Sequence, residues 1–494
     1  MIDSKKFYRK LLSQLCTAWL CCALTALGLA QAPASHPETP SASQPQKTAG
    51  DAKPAQEQKI SPQEAEELFR SVDEILRFAS KDTGFPIKHE VKRRLIDRNE
   101  VAAYVEKHTT EDEDAKRLRR SELVLKKFGL LPRDFDLGTF LVALLREQVA
   151  GYYDPKTKTV NLLDWVDAEQ QKPVLAHELT HALQDQSFNL EKYMKPGDAD
   201  LEKKKEVTWA DIEKDEIGTA RQAVVEGQAM AVLIDYMLAP MGQSLKDSRA
   251  VVDALKQGML AGTADSPQFQ GAPIYMKEAL TFPYRYGIDF TADMLTQGGK
   301  EKAYAGLFLN PPLTTRQIME PKSYIAGERV EPMRLPDFKQ TFKNYDRFDV
   351  GAVGELDVAV LIDQYAGVEA SHTLYPHWRG GYYYAAYPKG DPSAPLALLY
   401  VSRWSNAERS AEFAAIYAKY LPKRYRRLRD ADEKNSAINL DTLETLTGKH
   451  TWLSEAGPVV IDVEGDTVLI AESLDQPISD HLEQEIFGAV AAGK

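Results

Sequence analysis

Cysteine is almost missing from this chain. The three present, Cys16, Cys21 and Cys22, all fall within the first 22 residues. The remainder therefore has no disulfide, no thiol nucleophile and no thiolate ligand, and any metal site in it must be built from His, Asp and Glu. Net positive charge is lacking too. There are 73 Asp and Glu against 61 Lys and Arg, a formal −12. This argues against nucleic acid as the main partner, because phosphate binding wants a basic face. Beyond the N-terminus no stretch reads as a membrane span, and no internal repeat signals a solenoid or propeller. What remains is a globular composition, 43% apolar and 27% charged over 494 residues, long enough for two or three domains.

The N-terminus has a different texture. Lys5, Lys6, Arg9 and Lys10 precede a mostly apolar run from Leu11 to Ala30, and small residues permit cleavage after Ala30 or after Ala32. Pro33 stands just past the second site and favours the first. A positive start, an apolar middle and a small-residue end predict a secretory signal over residues 1–30 and a secreted or periplasmic protein. An uncleaved anchor is the competing reading; Ser13, Gln14, Thr17 and Thr25 dilute the run against it. Each cysteine follows Leu or Cys rather than a small residue, so lipid attachment is not expected. Residues 31–60, rich in Pro, Ala, Ser, Gln and Lys, read as a disordered linker.

Order is expected from Ser61-Pro62, an N-cap followed by Pro at the first helical position. Leu68, Val72, Ile75, Leu76 and Ala79 mark the buried face of the helix that follows. A strand is predicted over His89 to Ile96. A charged helix opens after Thr110 and stops at Gly129, and another runs from about Asp136 to Val149. In GYYDPKTKTVNLLD, Gly151 to Asp164, turn residues separate two β-prone runs and predict a hairpin. The next helix is expected to start near Pro173. PPLTTRQIMEPKSY reads as an irregular packed segment. After about Val350 the pattern turns to strands with two helices, the last from Ser479. The fold class is α+β, with a domain over residues 61–345 and a separate C-terminal α+β domain over 346–494.

The chemistry concentrates in AHELTHALQDQ, Ala176 to Gln186. Positions i and i+4 share a helix face, so His177 and His181 can present both imidazoles to one ion. Glu178, about 100° round the helix, can reach a water on that ion without ligating it. A catalytic zinc takes three protein ligands and keeps one position open. The third candidate is Glu226 in ARQAVVEGQAMAVLIDYM, a carboxylate among Ala, Val, Met, Leu and Ile that is costly to bury unless paired or metal-bound. Gly227 beside it suggests close backbone packing. Glu216, in more polar surroundings, is the weaker choice.

With these residues in place the sequence resembles the gluzincin class of zinc metallopeptidases, the thermolysin-like group with HExxH and a distant Glu. Asp185, four residues after His181, belongs to the likeness, which spans about Gln148 to Leu238. The overall texture is also similar to that of uncharacterised secreted bacterial putative metallopeptidases. The resemblance implies a zincin-like domain, Zn2+ bound by His177, His181 and Glu226, and Glu178 as general base acting on a peptide or protein substrate. It departs at Val225 and Met230, where thermolysin has Asn and an Asp that orients a histidine. Any residue orienting the histidines must then come from elsewhere.

A tetrahedral intermediate needs a further donor. Tyr284 and Tyr286 in LTFPYRYGIDF are candidates, with His372 and His377 behind them; FPYRYG otherwise reads as core and turn. The strand edge near Tyr152 and Tyr153 could pair with an extended substrate or simply pack. WRGGYYYAAY, from Trp378, reads as strand packing ahead of a ligand surface. The function expected is a secreted zinc endopeptidase. The alternatives are zinc-dependent hydrolysis of a non-peptide and a catalytically silent interaction protein on the same scaffold.

Overall fold

Ser61 opens the first helix through reciprocal bonds. Its hydroxyl accepts from the Glu64 amide at 3.2 Å while the Glu64 carboxylate accepts from the Ser61 amide at 2.6 Å, with Pro62 next in line. The computed structural model describes residues 59–101, 112–148, 151–195, 206–247, 266–431 and 438–488, with isolated positions between some of these. The signal over 1–30 and nearly all of the linker over 31–60 lie outside the described residues, as does Thr110.

The first part comprises α1 (Pro62–Thr83), β1 (Lys92–Ile96), α2 (Asp112–Phe128), α3 (Leu137–Gln148), β2 (Tyr152–Asp154), β3 (Thr159–Leu163), α4 (Ala168–Phe188), α5 (Lys214–Leu238) and α6 (Ile274–Glu301). β2 and β3 form the expected antiparallel hairpin, with Tyr153 opposite Val160. The sheet is not a strand pair, however. β1 lies parallel to β3 on its other side, giving three strands in the order β1-β3-β2.

α4 starts at Ala168, five residues ahead of the expected Pro173, which sits inside the helix. Two side chains explain the early start. Asp167 caps the amides of Glu169 and Gln170. Gln171 stitches the first turn to the end of β3, accepting from the Leu163 amide and donating to the carbonyls of Leu163 and Val166. FPYRYG is likewise no turn; it lies within α6.

The second part adds β4 (Tyr345–Ala352), α7 (Glu355–Ala366), β5 (Trp378–Pro388), β6 (Ala397–Trp404), α8 (Ala407–Arg424), β7 (Leu428–Asp430), β8 (Gly448–Ser454), β9 (Gly457–Glu464), β10 (Thr467–Glu472) and α9 (Gln476–Phe487). The strands form one antiparallel sheet in the order β4-β5-β6-β10-β9-β8-β7. α7 and α8 pack on one face and α9 on the other. α9 starts at Gln476, three residues before Ser479, because Asp475 caps it. The aromatic run in β5 divides by alternation. Tyr382 and Tyr384 face α9, and Tyr383 faces α7 and α8. PPLTTRQIMEPKSY holds two short helices, Thr315–Met319 and Pro321–Ile325.

The chain is thus mixed α+β with a seven-stranded sheet. β4 begins at the expected boundary near residue 345, yet packing crosses it. Phe128 of α2 meets Tyr383 and Tyr400 edge-on, with ring centres 6.1 and 5.4 Å away. One helical stretch among the described residues, Trp209–Met241, is long and apolar enough by length and composition to cross a bilayer, a character not expected from the sequence. Most of it is buried, and its α5 portion packs against α4 and α6.

At the junction of α2 and the sheet, Glu472 is fully buried. It accepts from Arg424 at 2.7 Å, Tyr417 at 2.6 Å and Tyr425 at 2.5 Å, with Lys127 at 3.5 Å. Burial alone would raise its pKa; Arg424 and Lys127 outweigh that and hold it at about 2. A carboxyl whose folded pKa is depressed contributes stability above its unfolded value near 4.5 and loses it as pH falls through the folded value. The urea midpoint should therefore drop between pH 4.5 and 2. Glu472→Gln should flatten that drop while costing roughly 3–5 kcal/mol at neutral pH, because it leaves buried cations without their partner. Denaturation curves of both proteins across that range check this, and an equal acid slope in the variant would refute it.

Candidate metal centre

His177 and His181 lie one turn apart on α4, their rings nearly perpendicular with centres 4.7 Å apart. α5 places Glu226 opposite them. Its Oε2 is 3.2 Å from His177 Nε2 and 3.3 Å from His181 Nε2, and the two Nε2 atoms are 3.0 Å apart. Two ligands each about 2.0–2.1 Å from a tetrahedral zinc lie about 3.3 Å apart. The three donor atoms therefore have nearly the spacing that a zinc ion would require, and the donor set of two imidazoles and a carboxylate suits that metal. The centre is buried, with His181 its most exposed member. His177, Glu178 and Glu226 are at most 2% exposed and His181 is 9% exposed.

Electrostatics agree with the geometry. Three lone-pair-bearing groups aimed at one point repel unless a cation lies among them. Burial alone would lower the His181 pKa, but Glu226, with Glu178 and Gln184 in support, lifts it to about 9. Burial would raise that of Glu226, and His181 and His177 instead hold it at about 2. A proton on His181 thus supplies in part the positive charge that a divalent ion would supply fully.

Glu178 lies alongside. Its Oε2 accepts from the Tyr153 amide at 2.6 Å, while Oε1 is buried with no hydrogen-bond partner among the described residues. Burial raises its pKa, opposed by His181 and His177. The free edge of β2, considered above for substrate pairing, is the edge that faces α4, and the Tyr153 amide there is bound to Glu178. Asp185 orients neither histidine. It accepts from the Tyr153 hydroxyl at 2.9 Å, Lys158 Nζ at 2.5 Å and the Leu190 amide at 3.1 Å, pinning the hairpin to the helix.

Of the expected donors, only Tyr284 comes to the centre. It is 1% exposed, and its ring lies 6.2 Å from that of His177 at an interplanar angle of 22°. Tyr286, two residues on in the same helix, turns away toward Phe282 and Arg285. His372 packs on Tyr375 and His377 bonds to Ser405, both in the second part of the chain. Glu216 is committed elsewhere, accepting from the amide and hydroxyl of Thr315.

Two residues were missed. Gln184 meets His181 Nδ1 at 2.9 Å, and Gln228 meets Gln184 at 3.0 Å. The available signal was two amides, three residues after His181 and two after Glu226, on helix faces otherwise apolar. Val225 contributes through its carbonyl, which accepts from Gln184, and Met230 is core.

The close packing expected at Gly227 is present. A Cβ there would lie 2.1 Å from the Gly287 carbonyl oxygen, and one on Gly287 would lie 2.3 Å from that of Ala223. Both obstacles are backbone, so neither can swing aside. Gly227→Ala should cost about 3 kcal/mol or more by forcing α5 and α6 apart. Gly271→Ala, whose nearest new contact is an ordinary 3.4 Å, should be close to neutral. Urea denaturation of both variants checks the contrast.

No family model, curated protein or solved structure matches this chain.

Proposed function

We propose that this chain is a secreted zinc-dependent metallopeptidase that hydrolyses peptide bonds within a peptide or protein substrate, its residues from about 61 to 345 forming a zincin-like catalytic domain. The observation that carries the reading is the convergence of His177 and His181 with Glu226, which lies on another helix 49 residues after His177, at separations close to those of a tetrahedral zinc site. When bound there, zinc would supply the Lewis acidity that polarises a carbonyl and makes a water nucleophilic near neutral pH.

The protein's own groups divide the remaining work. Glu178, raised in basicity by burial and with Oε1 unengaged, takes a proton from the attacking water and returns it to the leaving nitrogen. The Tyr153 amide fixes its other oxygen and so aims the carboxylate. Tyr284, whose ring packs along His177, is the aromatic residue assigned to serve the developing oxyanion. The apolar walls of α4 and α5 keep bulk water from the charges.

The full chain loaded with zinc is expected to cleave members of a mixed peptide library. Glu178→Gln should bind zinc one per chain and lose at least about a hundredfold in rate, the usual contribution of a general base. Equal cleavage by the two proteins would remove Glu178 from the mechanism. No cleavage by either, with zinc bound, would overturn the peptidase reading in favour of a non-peptide substrate or a silent scaffold.

A further inference from the structure

We infer that Gln184 and Gln228 form an amide relay that fixes the aim and protonation pattern of His181, and thereby how tightly the centre holds its ion; the second clause rests on the zinc reading above. The orientation of both amides follows from groups that can only accept. Gln228 places one side-chain atom 2.7 Å from the Ala303 carbonyl oxygen and 3.0 Å from that of Tyr304. Backbone carbonyls cannot donate, so that atom is the NH2 group. The other Gln228 atom is then an oxygen, and it accepts from the Gln184 amide nitrogen at 3.0 Å. The same nitrogen donates to the Val225 carbonyl at 3.0 Å. Both Gln184 N–H groups are thus committed, and its oxygen faces His181 Nδ1 at 2.9 Å. An oxygen there requires a proton on Nδ1. Nε2 is then the nitrogen that points at His177 and Glu226, and it is there that a metal would displace the second proton and take the lone pair.

Nothing in the surroundings loosens the relay. Gln184 and Gln228 are fully buried, and reversing either amide would set carbonyl oxygen against carbonyl oxygen. The anchoring carbonyls belong to a π-helical turn, Lys302–Gly306, beyond the break in α6 at Gly298 and Gly299. Such turns disturb the regular ladder and leave carbonyls able to serve side chains. His177 has no such support. Its Nδ1 is buried with no partner among the described residues. The two histidines of the motif are therefore unequal, His181 being locked from behind and His177 held by packing. Gln184 and Gln228 act as positioning residues, through His181.

The test combines zinc affinity, read by competition with a chromophoric chelator, with the NMR signal of the His181 Nδ1–H proton, both on the full chain. Gln184→Met keeps length and removes both polar groups. It should weaken zinc binding by about 10–100-fold and abolish the slowly exchanging Nδ1–H signal expected of wild type. Gln228→Met should weaken binding less. The double variant should bind no more weakly than Gln184→Met, because Gln228 acts only through Gln184. Gln184→Glu retains an acceptor for Nδ1–H and should hold zinc better than Gln184→Met while being less stable to heat, an order that a purely structural role would reverse. Unchanged affinity and an unchanged Nδ1–H signal in Gln184→Met, or losses that multiply in the double variant, would overturn the relay. A wild type that binds no zinc, yet shows a protected Nδ1–H lost in Gln184→Met, would overturn the metal reading alone and support the relay.

Discussion

A carboxylate and two imidazole nitrogens lie within 3.3 Å of one another among buried side chains. That crowding of lone pairs is the constraint around which α4, α5 and α6 are arranged. It is unfavourable unless positive charge enters, and it survives only because the helices cannot move apart. Gly227 and Gly287 let α5 and α6 touch backbone to backbone, and Gln184 and Gln228 cross-link α4 to α5 and to the turn after α6. Burial makes each of these contacts matter more, since no solvent competes for the polar groups.

Much of this centre was legible in the sequence because it depends on local rules. The i, i+4 spacing places His177 and His181 on one face whatever the fold around them. Glu226 could be found by asking what an acid does inside an apolar helix. Tyr284 and Tyr286 could not be separated. Pro283 and Gly287 suggested a turn, and only a helix, with residues two apart pointing in different directions, sends one to the centre and the other away. The glutamine relay was not legible at all. Its meaning lies in which atoms are forced to accept, and those carbonyls are supplied by residues 303 and 304, far along the chain. The start of α4 was misplaced for a related reason, since Gln171 bonds to a strand that the helix period does not see.

The larger organisation shows the same limit. Strands, caps and the change of texture near residue 345 are written locally. That α2 would lend Phe128 and Lys127 to the second sheet is not, because the partners, Tyr383, Tyr400 and Glu472, lie hundreds of residues away. Glu472 ties α2, α8 and β10 into one buried ionic knot, so the helical part and the sheet share structure instead of merely abutting.

β2 is only three residues long, yet Tyr153 within it is held at both ends, its amide on Glu178 and its hydroxyl on Asp185. Side chains and amides alternate along a strand, so a slip of one residue would turn the ring to the other face and the amide toward β3. Surface hairpin turns usually tolerate an inserted residue better than any other part of a protein. Here the turn from Asp154 to Lys158 sets the register that aims a buried carboxylate, so its length is as constrained as the helix that carries the histidines.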